Sequence, residues 1–178
     1  MKKLFLAGIA IFCMFSFVMA EGGPYELTKV DIFSLKVNLS GSDIALYGVT
    51  IKTPLNEALT ILKKTQADIT SSGKYNFLEI EPGAKLRISG DKIEALLVSE
   101  KFKAKLIGAT AKLFDNIDTE DNFKAYVTKY FLKPDNYDSS SVAGFESNTI
   151  TYLSGFEFVR FNSREGATCT ICFKGYGL

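Results

Sequence analysis

The sequence predicts an α+β fold: antiparallel sheet meanders with two amphipathic helices on one face. Three observations predict it. Short runs of period-two alternation recur between Gly- and Pro-containing dipeptides, two windows carry apolar residues at helical spacing, and residues 1–20 read as an export signal rather than as part of the fold.

That N-terminal stretch places Lys2 and Lys3 before an apolar run from Leu4 to Val18 and ends in Val18-Met19-Ala20. Small side chains at Val18 and Ala20 suit signal peptidase, so cleavage is expected after Ala20, leaving 21–178 as a single exported domain in the periplasm or outside the cell. The competing reading is an uncleaved anchor; after cleavage no stable membrane span is expected. Phe12 before Cys13 argues against lipid attachment there.

Along the mature chain, Phe33, Leu35, Val37 and Leu39 alternate with Ser34, Lys36 and Asn38, the pattern of a half-buried strand. A second strand is expected from Ala45 to Lys52. Thr53-Pro54 then opens a helix to about Gln66, with Leu55, Ala58, Leu59 and Leu62 on one side. Strands at Tyr75 to Glu81, Lys85 to Ser89 and Lys92 to Ser99 follow, joined by Pro82-Gly83 and Gly90-Asp91 in an antiparallel meander. Lys101 to Thr110 is read as a further strand.

A second helix begins after Thr119, carries Phe123, Tyr126, Val127, Tyr130 and Phe131 on one face, and stops before Pro134. Pro134 to Ser147 reads as a polar loop. Strands at Asn148 to Leu153, Phe156 to Asn162 and Ala167 to Lys174 complete a second meander.

Leu46 to Lys52 and Leu106 to Lys112 share leucine, glycine, threonine and lysine in register, and each is followed by Thr-x-x-Asn before a helical pattern. A tandem repeat of a strand, helix and three-strand unit, spanning 40–100 and 101–178, is one reading; chance similarity of two strand-helix joins is the other. Tandem helix-plus-meander units in a small exported chain resemble, in organisation, the beta-lactamase inhibitory proteins and the BamE-like envelope modules. That resemblance implies binding rather than catalysis, and no residue role is carried over from it.

Composition narrows the chemistry. The 178 residues carry a formal charge of +1, and loss of Lys2 and Lys3 turns the balance to −1, which offers no basic field for nucleic acid. The chain has no histidine, which removes Ser-His-Asp and Cys-His catalysis and histidine-bound zinc. No cofactor motif is present, and neither a catalytic nor a metal site is assigned.

Cys169 and Cys172 have redox spacing, but only Phe173 to Leu178 follow, too few for the helix that activates such thiols. In a strand the two point to opposite faces, Cys169 inward and Cys172 towards solvent, and structural free thiols are favoured over a strained disulfide, an intermolecular link or a metal site. Asp115 to Asn122 is rich in oxygen ligands but out of register for a calcium loop, and Thr119 reads as a helix cap. Glu79, Glu81, Glu94 and Glu157 lie on strands where a glycosidase-like carboxylate pair would be arranged.

Fifteen Phe and eight Tyr are more than two helices need, and Tyr152, Phe156 and Phe158 on adjacent strands are the candidate ligand-binding surface. The expected function is a non-catalytic binding or assembly module of the bacterial cell envelope, its partner a protein or envelope component. An exported inhibitor or effector, and a carboxylate-dependent glycan hydrolase, are the alternatives.

Overall fold

A computed structural model describes residues 23–33 and 39–175. The expected export signal, and the body of the strand expected between Asp31 and Leu39, lie outside the described residues.

The fold is α+β. A short parallel pair, β1 (Tyr25–Glu26) and β2 (Ile44–Ala45), precedes α1 (Leu55–Leu62) and the first meander: β3 (Ile69–Ser72), β4 (Tyr75–Glu81), β5 (Ala84–Ser89) and β6 (Lys92–Ser99). Then come a 3-10 helix at Glu100–Lys105, α2 (Gly108–Lys112) and α3 (Glu120–Tyr130). The second meander is β7 (Asn136–Val142), β8 (Phe145–Tyr152), β9 (Phe156–Ser163) and β10 (Gly166–Lys174).

The meanders join into one eight-stranded sheet of order β3-β4-β5-β6-β10-β9-β8-β7. Their last strands meet antiparallel at its centre, Thr170 opposite Ser99 and Lys174 opposite Ala95. Alternation fixes the inner face: Leu78, Leu86, Leu96, Ile150, Phe158 and Ile171 are all buried there, in one core with Leu55, Ala58 and Leu59 of α1 and Phe123 and Val127 of α3. Full burial of a side chain such as Phe158 contributes about 2–3 kcal/mol.

Several elements depart from the sequence expectation, each for a local reason. The strand expected from Ala45 to Lys52 is cut short because Leu46 pairs with Val49 across a tight turn. Tyr47 and Gly48 take φ of 53° and 79° there, and both donate their N–H to the Glu26 carboxylate, at 2.7 and 3.2 Å. Helix α1 starts with Pro54 rather than Thr53 as its cap, because the Thr53 hydroxyl accepts the Thr50 N–H instead. It ends at Leu62, where Lys63 turns left-handed.

The strand expected over Lys101 to Thr110 is absent. Both edges of β6 are already taken, by β5 and β10, so the chain leaves the sheet at Glu100 and winds into the 3-10 helix and α2. Asp31 holds α2 in place, accepting the N–H groups of Ala109 (2.7 Å) and Thr110 (3.2 Å) and the Thr110 hydroxyl (3.0 Å). The loop expected from Pro134 to Ser147 is instead β7, a two-residue turn and the start of β8, so each meander has four strands rather than three.

The two halves also touch through bare backbone. Gly41 donates to the Ser154 carbonyl at 2.7 Å, and a Cβ on Gly41 would stand 2.1 Å from the Gly155 oxygen, so only glycine permits this approach.

Candidate functional site: the open sheet face

Every described helix turns its buried residues to the same core, so the opposite face of the sheet has no described element over it. Register identifies its residues. Phe77 lies opposite Arg87, Arg87 opposite Ala95, Leu97 opposite Cys172, and Cys172 opposite Glu157.

Three zones cross this face. On β4, Tyr75 and Phe77 meet edge to face at 6.2 Å, and the Arg87 guanidinium lies 4.8 Å from the Tyr75 ring. The centre is a ladder of paired charges: Lys85 with Glu79 at 3.8 Å, Arg87 with Glu94 at 3.1 Å, and Lys174 with Glu157. At the far end Phe145 stacks on Phe161, centroids 5.9 Å apart, beside the exposed Val142.

The aromatic residues chosen from sequence are elsewhere. Tyr152, Phe156 and Phe158 are buried on the inner face and surround Phe131, at 4.6, 5.4 and 5.6 Å. Their rings are engaged in the core, and the Tyr152 hydroxyl donates to the Leu132 carbonyl at 2.8 Å. None of the three is exposed at the surface. Alternation places them together, but does not say which face of the sheet the helices cover.

Cys169 and Cys172 are both free thiols, and both are buried. Register puts Cys169 inward and Cys172, expected to be the more exposed thiol, on the opposite face; it is 3% exposed against 1% for Cys169, because neighbouring side chains cover it on the central strand β10. Cys172 sits on the open face among Leu97, Glu157 and Lys174 without joining the core. Burial pushes its thiol up to about 11, against the pull of Lys174, and burial pushes Cys169 up as well. Neither is an activated nucleophile.

The strand glutamates are tied to cations: beside the three pairs of the central ladder, Glu81 meets Lys105 at 2.8 Å. Although burial alone would raise the Glu81 carboxyl, hydrogen bonds from Lys105 and Tyr47 leave it below its ordinary value, opposite to the shift a general acid needs. Thr119 caps α3, its hydroxyl accepting the Asn122 N–H at 3.2 Å. Among the described residues, no group of three Cys, Asp or Glu is placed to hold a metal ion.

Sequence reasoning missed Arg160, which is 1% exposed on the inner face. It donates to the carbonyls of Ile117 (2.6 Å) and Asp118 (2.9 Å), to Asn148 Oδ1 (2.6 Å) and to Glu146 (3.3 Å). Its signal was present: Arg160 continues the inner-face series Phe156, Phe158. Comparison of the chain with protein-family models, with curated proteins and with solved structures found no match.

Proposed function

We propose that the protein is an exported, non-catalytic binding module of the cell envelope, and that the open sheet face docks a protein partner. The observation that carries this reading is an eight-stranded sheet with its helices on one side and aromatic side chains at both ends of the other. Aromatic residues and arginine are the usual anchors of protein interfaces. The charges between these anchors already neutralise one another, so the face projects little field and selects by shape. That suits a protein surface better than a phosphate backbone. The export signal supplies the address.

The two halves, 40–100 and 101–178, are read as a duplicated unit on related grounds. The strand order runs inward identically from both edges, and the matched Gly48 and Gly108 both have positive φ, 79° and 56°. An exported inhibitor would use the same face against a single foreign enzyme, and recovery of the partner distinguishes the two.

The test places a photo-crosslinking residue at Thr168, exposed on the open face, or at Thr128, exposed on α3, in the native host. Adducts are expected in the envelope fraction from Thr168 only, falling roughly tenfold or more when Phe77 or Phe161 is replaced by alanine. Recovery of the protein in the cytoplasm, or adducts indifferent to both substitutions, overturns the proposal.

A further inference from the structure

The two edges of the sheet are unlike. Strand β3 offers four residues and no strongly exposed apolar side chain, whereas β7 offers seven residues, without proline, lysine or a bulge to blunt it. Ala143 and Gly144, at φ 53° and 83°, form a two-residue turn that makes Val142 and Phe145 the closing pair of the hairpin. A closing pair of this kind exchanges both its hydrogen bonds, so Asn136, Asp138, Ser140 and Val142 turn their backbone groups to β8. Tyr137, Ser139 and Ser141 turn theirs outward.

The edge is also braced. The Tyr137 hydroxyl donates to Glu120, Ser139 bridges Glu120 (3.3 Å) and Asn148 (3.1 Å), and the Lys124 ammonium lies 4.1 Å from the Tyr137 ring. Helix α3 therefore holds β7 from the inner face, and among the described residues no strand pairs with its outward edge.

Exposed apolar side chains flank the same strand. Of the large apolar side chains exposed among the described residues, the two most exposed are Val142 (71%) and Leu153 (66%). They mark opposite ends of β7: Val142 is its last residue, and Leu153 is tied to Asp135, next to its first, by an N–H to Oδ2 bond of 2.8 Å.

We propose that β7 is a self-association edge, taking the β7 of a second copy of this chain in antiparallel pairing centred on Ser139. This assignment is independent of what the open face binds. In that register the outward residues pair as Tyr137 with Ser141, Ser139 with Ser139 and Ser141 with Tyr137. The one charged residue of the strand, Asp138, faces Ser140 rather than its own copy, so no like charges are opposed. Antiparallel pairing brings each copy's Val142 towards the end where the other's Leu153 stands, giving both exposed apolar residues a neighbour. The result is a continuous sixteen-stranded sheet, twice the eight of one chain, with both open faces on one side.

The test is sedimentation and native mass spectrometry of the protein isolated from its host, across a dilution series. A reversible dimer is expected. Ser141→Pro removes an outward N–H without touching the β8 ladder, and because it acts in both copies it should raise the dimer dissociation constant roughly tenfold or more. Ser71→Pro, on the opposite edge, should leave the constant unchanged. Val142→Asp keeps the backbone intact and should weaken the dimer as well, which covers the case where the proline variant fails to fold. A monomer at every concentration, a dimer indifferent to Val142→Asp, or one lost equally in Ser71→Pro overturns the proposal. So does recovery of a different chain held on this edge, which would make β7 a site for a partner's strand.

Discussion

The two meanders contribute equal numbers of strands to one sheet, yet their inner faces are chemically different. The first buries aliphatic side chains: Leu78, Leu86, Ile88, Leu96 and Val98. The second buries Tyr152, Phe156 and Phe158, and it also buries Arg160, whose donors end on the carbonyls of Ile117 and Asp118 in the irregular segment before α3. An aliphatic face adheres without direction, while a buried guanidinium dictates where a specific stretch of backbone must lie. The first meander is a generic apolar floor; the second is a template for the chain that crosses it.

The sharpest way to break this contrast is Arg160→Met. It keeps most of the volume but orphans buried acceptors, and should cost about 3–5 kcal/mol in urea unfolding. Its counterpart Arg87→Met, on the half-exposed open face, should cost no more than about 1 kcal/mol. Equal losses in the two would show that the guanidinium is not the organising contact.

Truncating the cores comes next. Phe158→Ala should cost about 3–5 kcal/mol and Leu86→Ala about 2–5, with the aromatic site at the upper end because Phe33 stacks on Phe158 at 5.5 Å and Phe131 meets it edge-on. Urea midpoints at constant m-value read both. Smaller still is the start of each half's longest helix. Thr119→Ala removes the side-chain cap of α3 and should cost about 1 kcal/mol, whereas α1, capped by Pro54 without a side-chain bond, has no such contribution to lose.

The smallest effect is the pH dependence that one carboxyl of the second half contributes. The Glu120 carboxyl is held below its ordinary value of 4.5, chiefly by the Tyr137 hydroxyl. A carboxyl with a depressed folded pKa contributes stability above pH 4.5 that is lost as pH falls through the folded value. Glu120→Gln should therefore flatten the acid limb of the stability profile slightly and leave it unchanged near neutrality.

The inner six strands of the sheet were legible because alternation and turn dipeptides agree in them. The boundaries expected for β4 and β6 are those observed, and those of β5, β9 and β10 differ by one residue. The two outermost strands were not legible. Strands β3 and β7 are dominated by Ser, Thr, Asn and Asp, which alone read as loop. They become strands because a neighbouring strand supplies a ladder along one side. The segment after Ser99 misled for the complementary reason: its alternation is compatible with a strand, but the sheet has no vacant edge beside β6. Tyr152, Phe156 and Phe158 lie in the core rather than at the surface, because alternation sorts residues into two faces without saying which one the helices cover.

The junction of β6 with β10 has a consequence in time. Strand β6, Lys92-Ile93-Glu94-Ala95-Leu96-Leu97-Val98-Ser99, is synthesised long before the strand that covers its second edge. Until Gly166 to Lys174 emerge, the first meander ends in an apolar strand with open hydrogen-bonding positions, the feature that favours aggregation. Completion of the sheet therefore waits for the closing of a long loop, which makes folding slow relative to a sheet built only of hairpins. A chain crossing a membrane unfolded would escape that hazard, since β6 and β10 would meet only on the far side. The nine residues of β10 decide whether β6 becomes the centre of a sheet or the edge that starts a deposit.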